Sequence, residues 1–105
     1  MRVLEGLEPK KVFEFFEDLT QIPRGSGNEA GAAKYCMEFA RKRGLAASCD
    51  EFNNGVITKE ASAGYEDAPT VIIQGHLDMV CEKEADCPID FKKDPLDVAV
   101  DGDFV

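Results

Sequence analysis

The chain has 105 residues, of which 44% are hydrophobic and 31% are charged, so it has the composition of one small globular domain and not of a disordered chain. Its net charge is −9, and residues 45–105 carry fourteen acidic side chains against four basic ones, which makes nucleic acid a poor partner. No apolar run approaches the length of a membrane span, and the first eight residues lack the apolar core of a signal peptide, which predicts a cytoplasmic protein with no membrane partner.

The first predicted helix begins at Pro9, a residue that suits the first helical turn, and ends before Pro23. Its apolar residues recur at helical spacing, and we expect this stripe to face the core and not a partner. The stripe consists of Val12, Phe15, Phe16, Leu19 and Ile22.

The second helix is predicted from about Gly27 to Arg43, and Gly44 is predicted to end it. Ser26 and Glu29 have the S-x-x-E spacing of a capping box, in which the serine hydroxyl accepts a hydrogen bond from the backbone N–H of Glu29. This interpretation makes Ser26 a helix cap and not a nucleophile. A phosphate-binding loop here would lack the G-x-x-x-x-G-K-[ST] pattern. The residues expected to face inward are Ala30, Ala33, Cys36, Met37 and Ala40.

After Gly44 the pattern changes to strands. Residues 46–52 and 56–58 are predicted to pair as a hairpin around the Asn53-Asn54-Gly55 turn. The apolar run at 70–74 shows no alternation, which predicts a central strand that is buried on both faces.

The last part of the chain is predicted to be mostly loop. Residues 81–97 are charged and contain two prolines, and loops of this length are often functional. Residues 98–105 are predicted to begin a hairpin with an Asp-Gly turn, and we expect the chain to be the N-terminal piece of a longer protein.

The four cysteines form no C-x-x-C pair, which is typical of free thiols and not of disulfides or a zinc cluster. No pattern around any of them indicates a nucleophile. They are Cys36, Cys49, Cys81 and Cys87.

The chain's single histidine follows the apolar run, in the segment Gln74-Gly75-His76-Leu77-Asp78. Residues i and i+2 of an extended segment project from the same face, so His76 and Asp78 are candidates for one site. A neutral imidazole is a good zinc ligand, and a carboxylate can orient that imidazole or bind the metal itself. The pattern alone does not separate these roles, and a structural loop histidine is the alternative.

Four segments together resemble the aminoacyl-histidine (Xaa-His) dipeptidases, a branch of the co-catalytic zinc exopeptidases. They are residues 16–29 with Ile-Pro and Ser-x-x-Glu, residues 54–57 (Asn-Gly-Val-Ile), residues 74–80 (Gln-Gly-His-Leu-Asp-Met-Val), and residues 90–105 with Asp-Phe-x-Lys-Asp-Pro and Asp-Gly-x-Phe-Val. The similarity covers essentially the whole chain, and the histidine-bearing segment and the Asp-Phe-x-Lys-Asp-Pro segment are its specific parts.

The resemblance implies that His76 is a metal ligand in a two-zinc site and that Asp78 is the catalytic-site carboxylate that orients it. It implies hydrolysis of small Xaa-His dipeptides by a metal-activated water, in a protein that forms a homodimer. The family's bridging aspartate, its general-base glutamate and its other ligands would all lie after Val105. The 105 residues alone are therefore expected to be inactive and to bind zinc weakly.

The predicted fold class is α/β, with two helices, a strand hairpin and a central strand, as part of a zinc-exopeptidase catalytic domain with a mixed sheet. Residues 1–105 are predicted to be the N-terminal part of that domain.

Two alternatives for the function stay open. One is a sister exopeptidase such as a tripeptide aminopeptidase, against which the Asp-Phe-x-Lys-Asp-Pro loop argues; the other is a non-catalytic binding or structural module. The preferred dipeptide, and whether manganese or cobalt replaces zinc, are also open.

Overall fold

The structure is a computed structural model that describes residues 2–105. Its elements are helix α1 (Lys10–Thr20), helix α2 (Ala30–Lys42), strand β1 (Ala46–Cys49) and strand β2 (Gly55–Thr58). The two predicted helices and the predicted hairpin are confirmed, so the chain is an α/β protein. Residues 2–32 with 78–105 form one compact unit, and residues 33–77 form another. None of the helices in the described residues is long and apolar enough to cross a membrane.

The buried face of α1 differs from the predicted apolar stripe. Val12 and Phe16 are 59% and 43% exposed, whereas Glu17 and Thr20 are buried. Glu17 tolerates burial because its Oε1 accepts a hydrogen bond from the backbone N–H of Val3, at 2.6 Å. The prediction that the whole stripe faces the core is wrong, because the N-terminal segment packs on the glutamate side of the helix through its backbone.

The C-terminal end of α1 is tied to the long loop that follows residue 80. The carbonyl of Thr20 accepts a hydrogen bond from the backbone N–H of Leu96, at 2.8 Å. The side-chain amide of Gln21 donates to the carbonyl of Leu96, at 3.3 Å. Residues 81–97 contain no helix or strand, as predicted, and these bonds fix the end of the loop to the first unit.

Helix α2 ends as its sequence predicts. Gly44 has a φ of +67°, which a glycine adopts without steric cost, and Leu45 donates its backbone N–H to the carbonyl of Ala40, at 2.9 Å. Ala40 is fully buried. The C-terminal turn is therefore closed by local backbone bonds.

The hairpin has a longer loop than predicted. Ala46 pairs with Thr58 and Cys49 pairs with Gly55, so β1 ends at Cys49 and residues 50–54 form the connection. The Asp50 carboxylate accepts hydrogen bonds from the backbone N–H groups of Phe52 and Asn54, at 2.8 and 2.9 Å. The predicted continuation of the strand to Phe52 is wrong, because this aspartate turns the chain earlier.

The apolar run at 70–74 has no strand partner in the part of the chain that the structure describes. Val71, Ile72 and Ile73 are 82%, 86% and 94% exposed, so the prediction of burial on both faces is wrong for these residues. A strand needs a neighbouring strand for its ladder of hydrogen bonds. The sheet seen within residues 2–105 is the two-stranded antiparallel pair β1–β2, so the central strand and the mixed sheet do not form there.

The Asp-Gly turn near the C-terminal end is confirmed as a single bridge. Asp101 and Phe104 exchange backbone hydrogen bonds of 2.9 and 3.0 Å, and Gly102 has a φ of +59°. The turn closes locally, because its two bonded residues are only three positions apart.

Candidate functional site

His76 and Asp78 follow the exposed apolar run. His76 is exposed and belongs to the second unit, whereas Asp78 is half-buried and belongs to the first. The imidazole is therefore not sealed inside an apolar core. The proposed ligand role of His76 stays a prediction, as does the orienting role of Asp78.

The backbone that begins at Asp78 is anchored inside the first unit. Met79 donates its N–H to the carbonyl of Arg24, at 2.8 Å, and pairs with Gly25 in a parallel bridge. Gly25 is buried, and a Cβ built on it would lie 2.6 Å from Sγ of Cys81. A Cβ at this position would therefore force the Cys81 thiol to move, which favours glycine here.

Ser26 lies in the segment that pairs with Met79, and its side chain contacts Asp78. Its hydroxyl donates a hydrogen bond to Oδ2 of the Asp78 carboxylate, within the first unit. Sequence reasoning missed this pair, because the two residues are 52 positions apart and no local spacing connects them. The structure thereby places a donor directly on the carboxylate that the sequence had singled out.

The predicted capping box is wrong. Helix α2 begins at Ala30, and Oε1 of Glu29 accepts from the N–H of Gly27, at 2.7 Å, and not from that of Ser26. Gly27 has a φ of +86°, and Asn28 donates its N–H to the carbonyl of Gly25, at 2.8 Å, which is the pattern of a type II turn. The turn occupies the residues that the capping box needed as a first helical turn.

The acidic residues of the long loop stabilise the loop itself. Oδ2 of Asp94 accepts from the backbone N–H of Asp90, at 2.8 Å, and Oδ1 of Asp90 accepts from that of Lys92, at 3.0 Å. Asn28 also donates its side-chain amide to the carbonyl of Lys92, at 3.4 Å. The Asp-Phe-x-Lys-Asp-Pro segment is thus a closed turn attached to the loop that carries Ser26.

The donor chemistry at His76 fits zinc, but the number of donors is incomplete. An imidazole is a preferred zinc ligand, and a catalytic zinc takes three protein ligands. Within residues 2–105, no group of three or more His, Cys, Asp or Glu side chains is arranged to hold a metal ion. His76 can therefore supply one ligand, and the residues described here do not complete a site.

The cysteines offer no activated nucleophile. All four are free thiols. Burial raises the pKa of the Cys36 thiol, and the nearby Cys49 raises it further, so the reactive thiolate is disfavoured at neutral pH. A cysteine-based hydrolytic mechanism has no support from this arrangement.

A cleft of about 520 Å³ lies in the first unit, between α1 and residues 95–98. Its charged lining comes from Arg2, Glu17, Asp18 and Asp97, and an ion pair of 3.7 Å joins Arg2 to Glu17. Neither Ser26 nor Asp78 lines this cleft, so the cleft is separate from the Ser26–Asp78 pair.

Two known proteins are similar to this chain, one by sequence and one by both sequence and structure. The cytosol non-specific dipeptidase of Escherichia coli (strain K12) is 36% identical over 105 residues, which are all of this chain and 22% of that protein. The crystal structure of the aminoacylhistidine dipeptidase from Vibrio alginolyticus matches with a TM-score of 0.87 and 33% identity, over 94% of this chain and 20% of that one. By sequence and by fold, this chain is similar to part of an aminoacylhistidine dipeptidase. The predicted family resemblance is confirmed.

The relationship has a defined extent. The chain spans about a fifth of the length of each dipeptidase that it matches. No protein-family model matches it. The two helices and the antiparallel strand pair correspond to part of the aminoacylhistidine dipeptidase fold.

Proposed function

We propose that residues 1–105 are the N-terminal part of the catalytic domain of a metal-dependent dipeptidase that hydrolyses Xaa-His dipeptides by a metal-activated water. The similarity to two dipeptidases over nearly the whole chain carries this proposal. In it, His76 is a ligand to one of two zinc ions and Asp78 orients its imidazole. The remaining ligands and the general base would come from residues beyond Val105.

The proposal gives each group of this chain a limited task. When bound, zinc supplies a water of lowered pKa and polarises the scissile carbonyl. His76 would hold the metal through a ring nitrogen, which requires a neutral imidazole. Asp78 would accept a hydrogen bond from the other ring nitrogen and so select the tautomer.

Partners and compartment follow from the same proposal. The substrate is a small peptide, with neither nucleic acid nor membrane as a partner, and the full-length protein forms a homodimer. The name of the Escherichia coli relative, a cytosol dipeptidase, supports a cytoplasmic location.

The experiment uses the full-length protein and its His76→Ala variant. Metal content is measured by elemental analysis, and turnover is measured on Xaa-His dipeptides, other dipeptides and tripeptides. We expect H76A to lose bound metal and to lose activity by about three orders of magnitude or more, because a missing ligand removes several kcal/mol of transition-state stabilisation. Ser62→Ala is the matched control, since Ser62 is exposed and lies outside the helices and strands.

The outcomes separate the alternatives. Unchanged metal content and activity in H76A would indicate a non-catalytic module in which His76 only packs. A preference for tripeptides would identify a sister exopeptidase. Reconstitution of the metal-free protein with zinc, manganese or cobalt identifies the active metal.

The name of one relative favours a second candidate specificity. The 36% identical relative is called a non-specific dipeptidase, whereas the structural neighbour is called an aminoacylhistidine dipeptidase. A broad dipeptidase would cleave peptides with and without a C-terminal histidine at comparable kcat/KM. The same substrate panel distinguishes the two.

A further inference from the structure

We propose that Ser26 is a positioning residue, whose hydroxyl holds the Asp78 carboxylate in the orientation from which Asp78 acts on the metal-ligand histidine. This inference rests on the proposed function, because it assigns a third residue to the same site. Its observation is the hydrogen bond from the Ser26 hydroxyl to Oδ2 of Asp78.

The backbone on both sides of this bond is held. The Met79 N–H and the Arg24 carbonyl are 2.8 Å apart, and the bridge between Gly25 and Met79 aligns the two segments in parallel. Ser26 follows Gly25 directly, and Asp78 precedes Met79 directly. Both side chains therefore come from residues adjacent to the bridge, and the hydrogen bond joins them across it.

The turn after Ser26 keeps its side chain in place. The 2.8 Å bond from Asn28 to Gly25 closes the turn, and the carboxylate of Glu29 accepts the N–H of Gly27, at 2.7 Å. Gly27 at φ +86° occupies the position of a type II turn that disfavours residues with a Cβ. Ser26 is thus the residue at the corner of a rigid turn and not a helix cap.

A carboxylate needs such a partner in order to orient another group. The last torsion of an aspartate side chain is broad, so the plane of the carboxylate is poorly defined by rotamer preference alone. A hydrogen bond from a hydroxyl to an ionised oxygen is short and strong, and it fixes this plane. Each oxygen has two lone pairs, so the bond to Ser26 leaves Asp78 able to accept a second donor.

The test measures metal binding and not only turnover. In the full-length protein, zinc affinity is determined by competition with a chelator, and the cobalt(II)-substituted protein is examined by visible absorption. Partners that orient a metal ligand typically contribute 10–100-fold in affinity, so we expect Asp78→Ala to fall in that range and Ser26→Ala to weaken zinc about tenfold. S26A should also shift the cobalt(II) bands, whereas Ser26→Thr, which keeps the hydroxyl, should restore both.

The control for side-chain loss is Ser62→Ala, which should match the unmodified protein in both measurements. Ser26 acts through Asp78 in this proposal, so S26A should add no further loss of zinc affinity in a D78A background. Equal zinc affinity and equal cobalt spectra in S26A and S62A would overturn the inference. So would a full additional loss in the double variant, because a purely structural role of Ser26 does not depend on Asp78.

Two further measurements keep the outcomes distinct. If S26A fails to fold by circular dichroism, Ser26→Cys replaces it, since a thiol of similar size is only a weak donor. If H76A keeps its zinc, the proposed function fails. If H76A loses zinc while S26A binds it normally, only the role of Ser26 fails.

Discussion

The two segments on either side of the His76–Asp78 motif differ in how they are held. Residues 71–73 have no strand partner among residues 2–105, and each is more than four-fifths exposed. Residues 78 and 79 are held against residues 24–26 by a backbone bond, a parallel bridge and the hydrogen bond from a serine to an aspartate.

This difference shows which part of the His76–Asp78 motif is held in place by residues of this chain. The segment after the motif has its partners inside the first unit, so the position of Asp78 is determined by residues described here. The segment before the motif is apolar and has no strand partner among residues 2–105, so burial of Val71, Ile72 and Ile73 requires a surface that these residues do not supply.

The largest expected effect concerns metal binding by the 105-residue chain alone. We expect it to hydrolyse no dipeptide and to bind zinc weakly, because His76 supplies one imidazole where a catalytic zinc takes three protein ligands. Chelator competition and chromatographic detection of dipeptide cleavage measure this. Nanomolar zinc affinity would show that the motif is organised without further partners and would remove the contrast between its two flanks.

A smaller effect is expected from Gly25→Ala, which changes the residue that pairs with Met79 after the motif. The added Cβ would lie 2.6 Å from Sγ of Cys81, so we expect a loss of about 1–2 kcal/mol in the free energy of unfolding. Urea denaturation measures it. Gly6→Ala is the control, because a Cβ there meets nothing within 4 Å. The anchoring described above predicts partial recovery in the G25A/C81A double variant, and no recovery would place the strain elsewhere.

Ile73→Thr tests residues 71–73, the segment before the motif that has no strand partner among residues 2–105. In the 105-residue chain, where Ile73 is 94% exposed, the free energy of unfolding should change by less than about 0.5 kcal/mol. In the full-length protein we expect a loss of about 1 kcal/mol or more, because the proposed catalytic domain would bury this side chain. Thermal or urea unfolding of both proteins gives the comparison. Equal losses in the two would mean that Ile73 has the same surroundings in each.

The smallest effect is expected at the hairpin, whose pairing is local. Hydrogen bonds from the side chain and backbone of Asn54, and from the backbone of Phe52, hold the pKa of Asp50 below its ordinary value of 3.8. A lowered pKa in the folded state means that this stabilisation is present above about pH 3.8 and is lost as the pH falls through the folded value. Asp50→Asn should therefore reduce the acid dependence of the unfolding midpoint.

The comparison for Asp50 is Glu51→Gln, which changes an exposed carboxylate in the same loop. Unfolding midpoints at pH 6 and pH 3 measure both variants, and D50N should show the smaller difference between the two pH values. An equal pH dependence in D50N and E51Q would mean that the Asp50 bonds do not contribute to stability.

Local pattern was sufficient for most of the secondary structure. Helix α1 begins after Pro9 and α2 ends before Gly44, because caps and helical periodicity act within a few residues. The hairpin was found for the same reason, although Asp50 shortened its first strand. The His-x-Asp motif was also visible in the sequence, since two residues on one extended segment need no fold to become neighbours.

The sequence by itself determined the α/β character, the family resemblance and the two residues on which the proposed function depends, because short local segments carry each of them. Only the tertiary structure decided that Glu17 is buried against the backbone of Val3 and that Ser26 bonds to Asp78 and not to its own helix. Such pairs join residues 14 and 52 positions apart, and their energies depend on how the chain folds back on itself, which no local spacing records.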